Sequence, residues 1–139
     1  MKKQSTITVS VTVQAPVNKV WDYWNQPDHI MQWNNASNDW HTPRAENNLR
    51  INGTFNYRME ARDGSVGFDF RGVYDEIQPR QHIRYTIDDG RKVQVTFSGD
   101  DTTTDVTETF DAESTNSVDM QQAGWQAILD NFKKYTETH

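Results

Sequence analysis

The sequence predicts an α+β fold: a curved antiparallel sheet wrapped around a long C-terminal helix, with two short helices after the first strand. Three observations predict it. Apolar and polar residues alternate in ITVSVTV, and again in successive runs from about residue 50 to about residue 112, the period of half-buried strands. Asp63-Gly64 and Asp88-Asp89-Gly90 are hairpin signals, so runs adjacent in sequence pair antiparallel. The chain closes on SVDMQQAGWQAILDNFKKYTETH, whose apolar residues recur at helical spacing. A chain of 139 residues fits one domain, residues 1–139.

Each element follows from its residues. In the first strand Ile7, Val9, Val11 and Val13 share one face. In APVNKVWDYWN, Pro16 suits the start of a helix, and Val17, Val20, Trp21 and Trp24 form one apolar stripe. Gln26-Pro27-Asp28 breaks that helix and starts a second, short one carrying Ile30, Met31 and Trp33. Across Asp63-Gly64 the expected register sets Ala61 against Val66, Met59 against Phe68, Tyr57 against Phe70 and Arg58 against Asp69. Both faces are then chemically matched. Beyond Phe70 the apolar phase slips to Val73 and Ile77, which marks Gly72 as a bulge candidate. Pro79 ends that strand. Across the next loop, with Gly90 at positive φ, Ile83 faces Val95 and Tyr85 faces Val93. A turn at Ser98-Gly99-Asp100 leads to a strand with Thr104, Val106, Glu108 and Phe110 on one face. On the last helix Val118, Trp125, Leu129 and Phe132 form the stripe, flanked by Ile128 and Tyr135. Gly124 in mid-helix costs about 1 kcal/mol against Ala, so the fold either brings something close to it or needs the room.

Composition excludes several functions. The net charge is −6, against a nucleic-acid partner, which needs a basic face. With no cysteine, disulfides, thiolate catalysis and zinc–thiolate sites are excluded. His29, His41, His82 and His139 are scattered without metal-ligand spacing, so neither a metal nor another cofactor is expected. MKKQSTITVS has no apolar core behind its lysines, and no apolar run approaches transmembrane length. A cytoplasmic protein without membrane insertion is the expectation.

A straight helix cannot sit flush along a strongly curved sheet. A gap opens at one end, enclosed by the sheet, the long helix and the helix pair. At this point the motifs are informative. APVNKVWDYWNQPDHIMQW resembles the APxxxVWxxxxxPxxxxxW opening of the START/SRPBCC superfamily, the helix-grip fold of birch pollen allergen. INGTFNYRM with FDFRGVYDEIQP resembles the GGxF…GxYxEIxP core of one branch, and QQAGWQAILDNFKKY its GWxxxLxxF closing helix. That branch is similar to the C-terminal domain of the heat-shock protein 90 ATPase activator. The resemblance covers nearly the whole chain and implies the helix-grip fold. The superfamily includes lipid and polyketide binders, cyclases and co-chaperones. No chaperone-binding domain precedes this one in the sequence, which counts against the co-chaperone role.

The candidate site is therefore the hollow. Tyr57, Tyr85 and Glu108 lie on apolar strand faces, where a charge is expensive unless paired. A tight turn at Gly99-Asp100 sets Arg91 opposite Glu108, as a structural ion pair or a polar floor; a four-residue turn sets Val93 there instead. Trp33 and Trp40, in the polar stretch IMQWNNASNDWH, bracket the passage to the second strand, where half-buried indoles suit a rim. Gln122 and Trp125 complete the entrance, with Gln121 and Gln122 open both to ligand contact and to capping loop carbonyls. Asp39 and His41 share a face if they lie on a strand, the minimum for acid–base work, but no nucleophile or third group accompanies them. These residues support three readings. The first is a binder of a small hydrophobic ligand. The second is a protein-interaction module with a chaperone as partner. The third is a cyclase- or hydrolase-type enzyme, which needs a buried acid–base pair.

Overall fold

The computed structural model describes residues 5–139; the lysines of the N-terminal stretch lie outside the described residues. The elements run β1 (Thr6–Val13), α1 (Val17–Asn25), α2 (Pro27–Trp33), β2 (Trp40–Asn47), β3 (Thr54–Ala61), β4 (Gly67–Gln78), β5 (His82–Ile87), β6 (Lys92–Gly99), β7 (Thr104–Asp111) and α3 (Val118–Thr138). The strands form one curled antiparallel sheet in the order β1-β7-β6-β5-β4-β3-β2. Thus β2 through β7 form a meander, and β1 joins its far edge. This is the α+β helix-grip architecture.

The hairpin registers follow the side-chain pattern. Tyr57 pairs with Phe70, Arg58 with Asp69 and Met59 with Phe68. Ile83 pairs with Val95 and Tyr85 with Val93. Gly64 and Gly90 take the expected turn positions at φ +77° and +89°, where a side chain is strained.

Three details differ from expectation. First, Gly72 is no bulge. Phe70, Gly72 and Tyr74 stay in phase, and the register shifts between Tyr74 and Glu76. A Cβ at Gly72 would lie 2.7 Å from the Phe55 ring, so the glycine is there to let that ring cross the strand. Second, the β6–β7 turn has four residues, 100–103, but begins one position later than the sequence suggests. Gly99 pairs with Thr104, and the Asp100 carboxylate accepts hydrogen bonds from the Thr102 and Thr103 amides at 2.8 and 3.0 Å. Val95 therefore faces Glu108. Third, Val118 is 46 % exposed and leaves the α3 stripe. Ser117 caps this helix by accepting from the Met120 amide at 3.1 Å.

α3 lies along β1 and touches α1 and α2. Gln122, Gln126 and Lys133 donate to the carbonyls of Thr8, Ser10 and Thr12 at 3.4, 3.1 and 2.8 Å. Alternate residues of an edge strand present their carbonyls outward, and one polar face of α3 covers them. The C-terminal half of α3 is packed solid. Leu129, Phe132 and Thr136 are fully buried, with Trp24 and Trp33 edge-on to Phe132 at 4.9 and 4.8 Å. Trp21 closes this plug against Phe97 at 5.2 Å.

Candidate functional site: an aromatic cavity with a buried carboxyl

Toward the N-terminal half of α3 the sheet curls away and the interior opens. The hollow measures about 430 Å³. Its walls come from β3 (Phe55, Tyr57, Met59), β4 (Phe68, Phe70, Tyr74) and β5 (Ile83, Tyr85), with Trp125 and Ile128 of α3 opposite. Trp24, Trp33 and Asn34 close the end nearest the helix pair. Glu113 and Asn116 of the β7–α3 loop and Arg91 of the β5–β6 loop complete it. A larger depression, about 560 Å³, lies open on the outer face of the sheet among Asp75, Glu76, Arg84, Lys92 and Gln94. It is the more open of the two to solvent, so the partly enclosed hollow is the better candidate.

The rings are arranged in contact. Phe55 meets Tyr57 at 5.0 Å and Tyr85 edge-on at 4.9 Å. Trp125 stacks on Phe110 at 3.8 Å and presents its edge to Phe70 at 6.1 Å. Such pairs stiffen a wall as well as bury area.

The polar groups are few. Glu108 projects into this hollow from β7, only 5 % exposed, flanked along the sheet by Val9 and Val95. No side chain or backbone group among the described residues hydrogen-bonds its carboxyl. Burial raises its pKa from 4.5 to about 8, because the anion has lost water and gained no counter-charge. Arg91 does not supply one; its Nε donates to Asp89 at 2.8 Å. Burial likewise holds the Tyr57 and Tyr85 hydroxyls well above their usual pKa, with Glu108 adding to the effect on Tyr85. Tyr74 is pushed up to about 12, also by burial. Its hydroxyl donates to Asn47 Oδ1 at 2.5 Å, and the Asn47 amide donates to the Asn25 carbonyl at 2.7 Å. This chain ties β4 and β2 to α1.

Of the residues singled out in the sequence, Tyr57, Tyr85, Glu108, Trp33 and Trp125 line the one hollow. Trp33 is no rim residue: it is 3 % exposed, with its indole N–H donated to the Tyr23 carbonyl at 3.0 Å. Trp40 lies outside the lining and packs on Phe68 at 6.0 Å. Gln122 also lies outside, being one of the β1 edge contacts. Its neighbour Gln121 is the buried one. Gln121 accepts from the Glu113 amide at 2.8 Å and donates to the carbonyls of Glu113 and Asn116 at 3.2 and 2.8 Å, pinning the mouth loop. His41 faces Glu60 at 3.8 Å, while Asp39 sits exposed ahead of β2, so the two form no pair. Sequence reasoning missed Tyr74, Asn34, Glu113 and Asn116. Tyr74 was legible from its phase with Phe70 and Gly72; the others come from loops without periodicity. Gly124 has no atom within 4 Å of where a Cβ would stand, so nothing crowds it. Among the described residues no cluster of three His, Asp or Glu groups has metal-binding geometry, and no helix is long and apolar enough to cross a membrane.

The comparisons agree with this geometry. Residues 14–137 match the family described as Activator of Hsp90 ATPase homolog 1-like protein. The chain belongs to this AHSA1-like family. An AHSA1-like protein from Aeromonas hydrophila is 43% identical, with TM-score 0.90 over 96% of this chain and 93% of that one. A protein from Cytophaga hutchinsonii is 54% identical, with TM-score 0.83 over 96% and 92% of the two chains. A protein from Chromobacterium violaceum shares the AHSA1-like fold at 21% identity and TM-score 0.82, over 95% and 96% of the two chains. Among curated proteins none matches.

Proposed function

We propose that this protein binds a small, largely hydrophobic molecule in the cavity between sheet and α3, and does so in the cytoplasm. The observation that supports this most is the pairing of a partly enclosed hollow of about 430 Å³ with aromatic walls. Protein interiors are otherwise close-packed, and a hollow of this size forfeits dispersion contacts along its walls. A fold gains nothing in stability by keeping it. Enclosure of a ligand would return roughly 25 cal/mol for each Å² of apolar surface buried, before association costs.

The test uses the purified protein. Native mass spectrometry of a fresh preparation should show a co-purifying compound. After its removal, N-phenyl-1-naphthylamine, a neutral apolar fluorophore, should bind saturably at one site per chain under native conditions. An empty spectrum together with no saturable fluorescence would overturn the reading. The family description names an activator of the Hsp90 ATPase, and Val66, ahead of β4 and outside the cavity lining, is 54 % exposed. A protein-interaction module would use such a surface and would be indifferent to the hollow. Mutating Val66 to Ser would then weaken partner binding while blocking the cavity would not.

A further inference from the structure

Among the described residues Glu108 is the one acidic or basic side chain that is buried, at 5 % exposure, and without a hydrogen bond or ion pair. Buried carboxyl groups normally keep a partner, because an unpaired one costs several kcal/mol of desolvation if charged and leaves donors and acceptors unmet if neutral. Among the described residues, no element packed around it presents a free counter-charge. β1 and β6 offer Val9 and Val95; β3, β4 and β5 offer the hydroxyls of Tyr57, Tyr74 and Tyr85; α3 offers Trp125 and Ile128. Arg91, the cation in the lining, is held by Asp89 at 2.8 Å, and Glu113 near the mouth is a second carboxylate. The cavity thus combines ring faces, phenolic oxygens and an unneutralised acid. Ring quadrupoles attract cations, most strongly when water is excluded.

We propose that the ligand of this cavity is an organic cation, a protonated amine carried on an apolar or aromatic body, with the Glu108 carboxylate as its counter-ion. This rests on the binding reading above. The ammonium group lies at the Glu108 end, within reach of the Tyr85 and Tyr57 oxygens as acceptors, and the apolar body fills the space toward Trp125 and Phe70. In the empty protein Glu108 keeps its proton at neutral pH, as its raised pKa requires. Binding of the ammonium ion displaces that proton to solvent. One positive charge enters and one proton leaves, so the cavity stays neutral overall.

Calorimetric titration with three naphthalenes of one shape tests this: 1-naphthylmethylamine (cation), 1-naphthalenemethanol (neutral) and 1-naphthoate (anion). The amine is expected to bind about tenfold or more tighter than the alcohol, and the anion most weakly. At pH 7, titrations in two buffers of different ionisation enthalpy should show close to one proton released per amine and none per alcohol. Amine affinity should rise by up to about tenfold per pH unit between pH 6 and pH 8, and alcohol affinity should not. Glu108→Gln should remove the amine's advantage and leave the alcohol within about twofold. Equal binding of amine and alcohol, or no proton release by the wild-type protein, overturns the cation assignment while leaving the binding reading standing. Failure of all three compounds to bind overturns both.

Discussion

The two ends of α3 face interiors of opposite kinds. At the C-terminal end Leu129, Phe132 and Thr136 are fully buried among Trp24, Trp33 and the helix pair. At the N-terminal end Trp125 and Ile128 are only half buried and look across open space toward β3–β5. One helix with one stripe serves both ends. The difference lies in what the sheet brings to it. The far half is plugged by α1 and α2, whose tryptophans fill the curl. The near half has only the loop pinned by Gln121, which closes the mouth without filling the space behind it. A curled sheet needs a third layer to become solid, and this chain supplies that layer along half its length.

That contrast can be broken or sharpened by mutation. The largest effect should come from Glu108. Its folded pKa of about 8 stands above the ordinary 4.5, so the folded state keeps a proton that the unfolded chain releases. Its contribution is therefore neutral below about pH 4.5, and it destabilises progressively as pH rises to about 8. The full penalty is at most about 5 kcal/mol. Denaturation of Glu108→Gln and wild type across pH 5–9 should show the mutant gaining relative stability with rising pH; parallel curves would mean that the carboxyl is paired or solvated.

Next, Phe132→Ala in the solid half should cost about 3–5 kcal/mol, whereas Phe68→Ala on the cavity wall should cost under about 1 kcal/mol, both read from urea midpoints. Similar losses would erase the distinction between the halves. Gln121→Ala should cost about 1–3 kcal/mol by leaving the Glu113 and Asn116 backbone groups unmet, and should speed amide exchange in residues 113–116 above all. The smallest effect is a gain. With no atom within 4 Å of the added Cβ, Gly124→Ala should raise stability by about 1 kcal/mol or less, as a higher thermal midpoint. A loss there would mean that a neighbour approaches the helix more closely than the structure shows.

Much of the fold was legible because it is written in periods. Alternation alone places Tyr57 against Phe70 and Tyr85 against Val93, and puts Glu108 on the inner face. What was not legible depends on single residues that break a period silently. The bulge at Asp75 has no glycine to announce it, so the sequence points instead to Gly72, whose task is to clear the Phe55 ring. The Asp100 side chain sustains a four-residue turn over residues 100–103, one position beyond the turn the sequence suggests, and this sets Val95 rather than Arg91 or Val93 opposite Glu108. Gln121 and Gln122 differ by one helical step, about 100° of rotation. That step separates an anchor of the mouth loop from a cap on the β1 edge. The half of the cavity wall from Trp24, Asn34 and the 113–116 loop needed three-dimensional packing to appear.

The most direct test is where an apolar probe lands. In a methyl-resolved NMR titration with N-phenyl-1-naphthylamine, the Met59, Ile83 and Ile128 signals should shift together and saturate at one equivalent, while those of Ile30 and Leu129 stay in place. Shifts confined to exposed Val66 and Val118, or spread evenly over both halves of the interior, would contradict a ligand-accepting hollow beside a solid core.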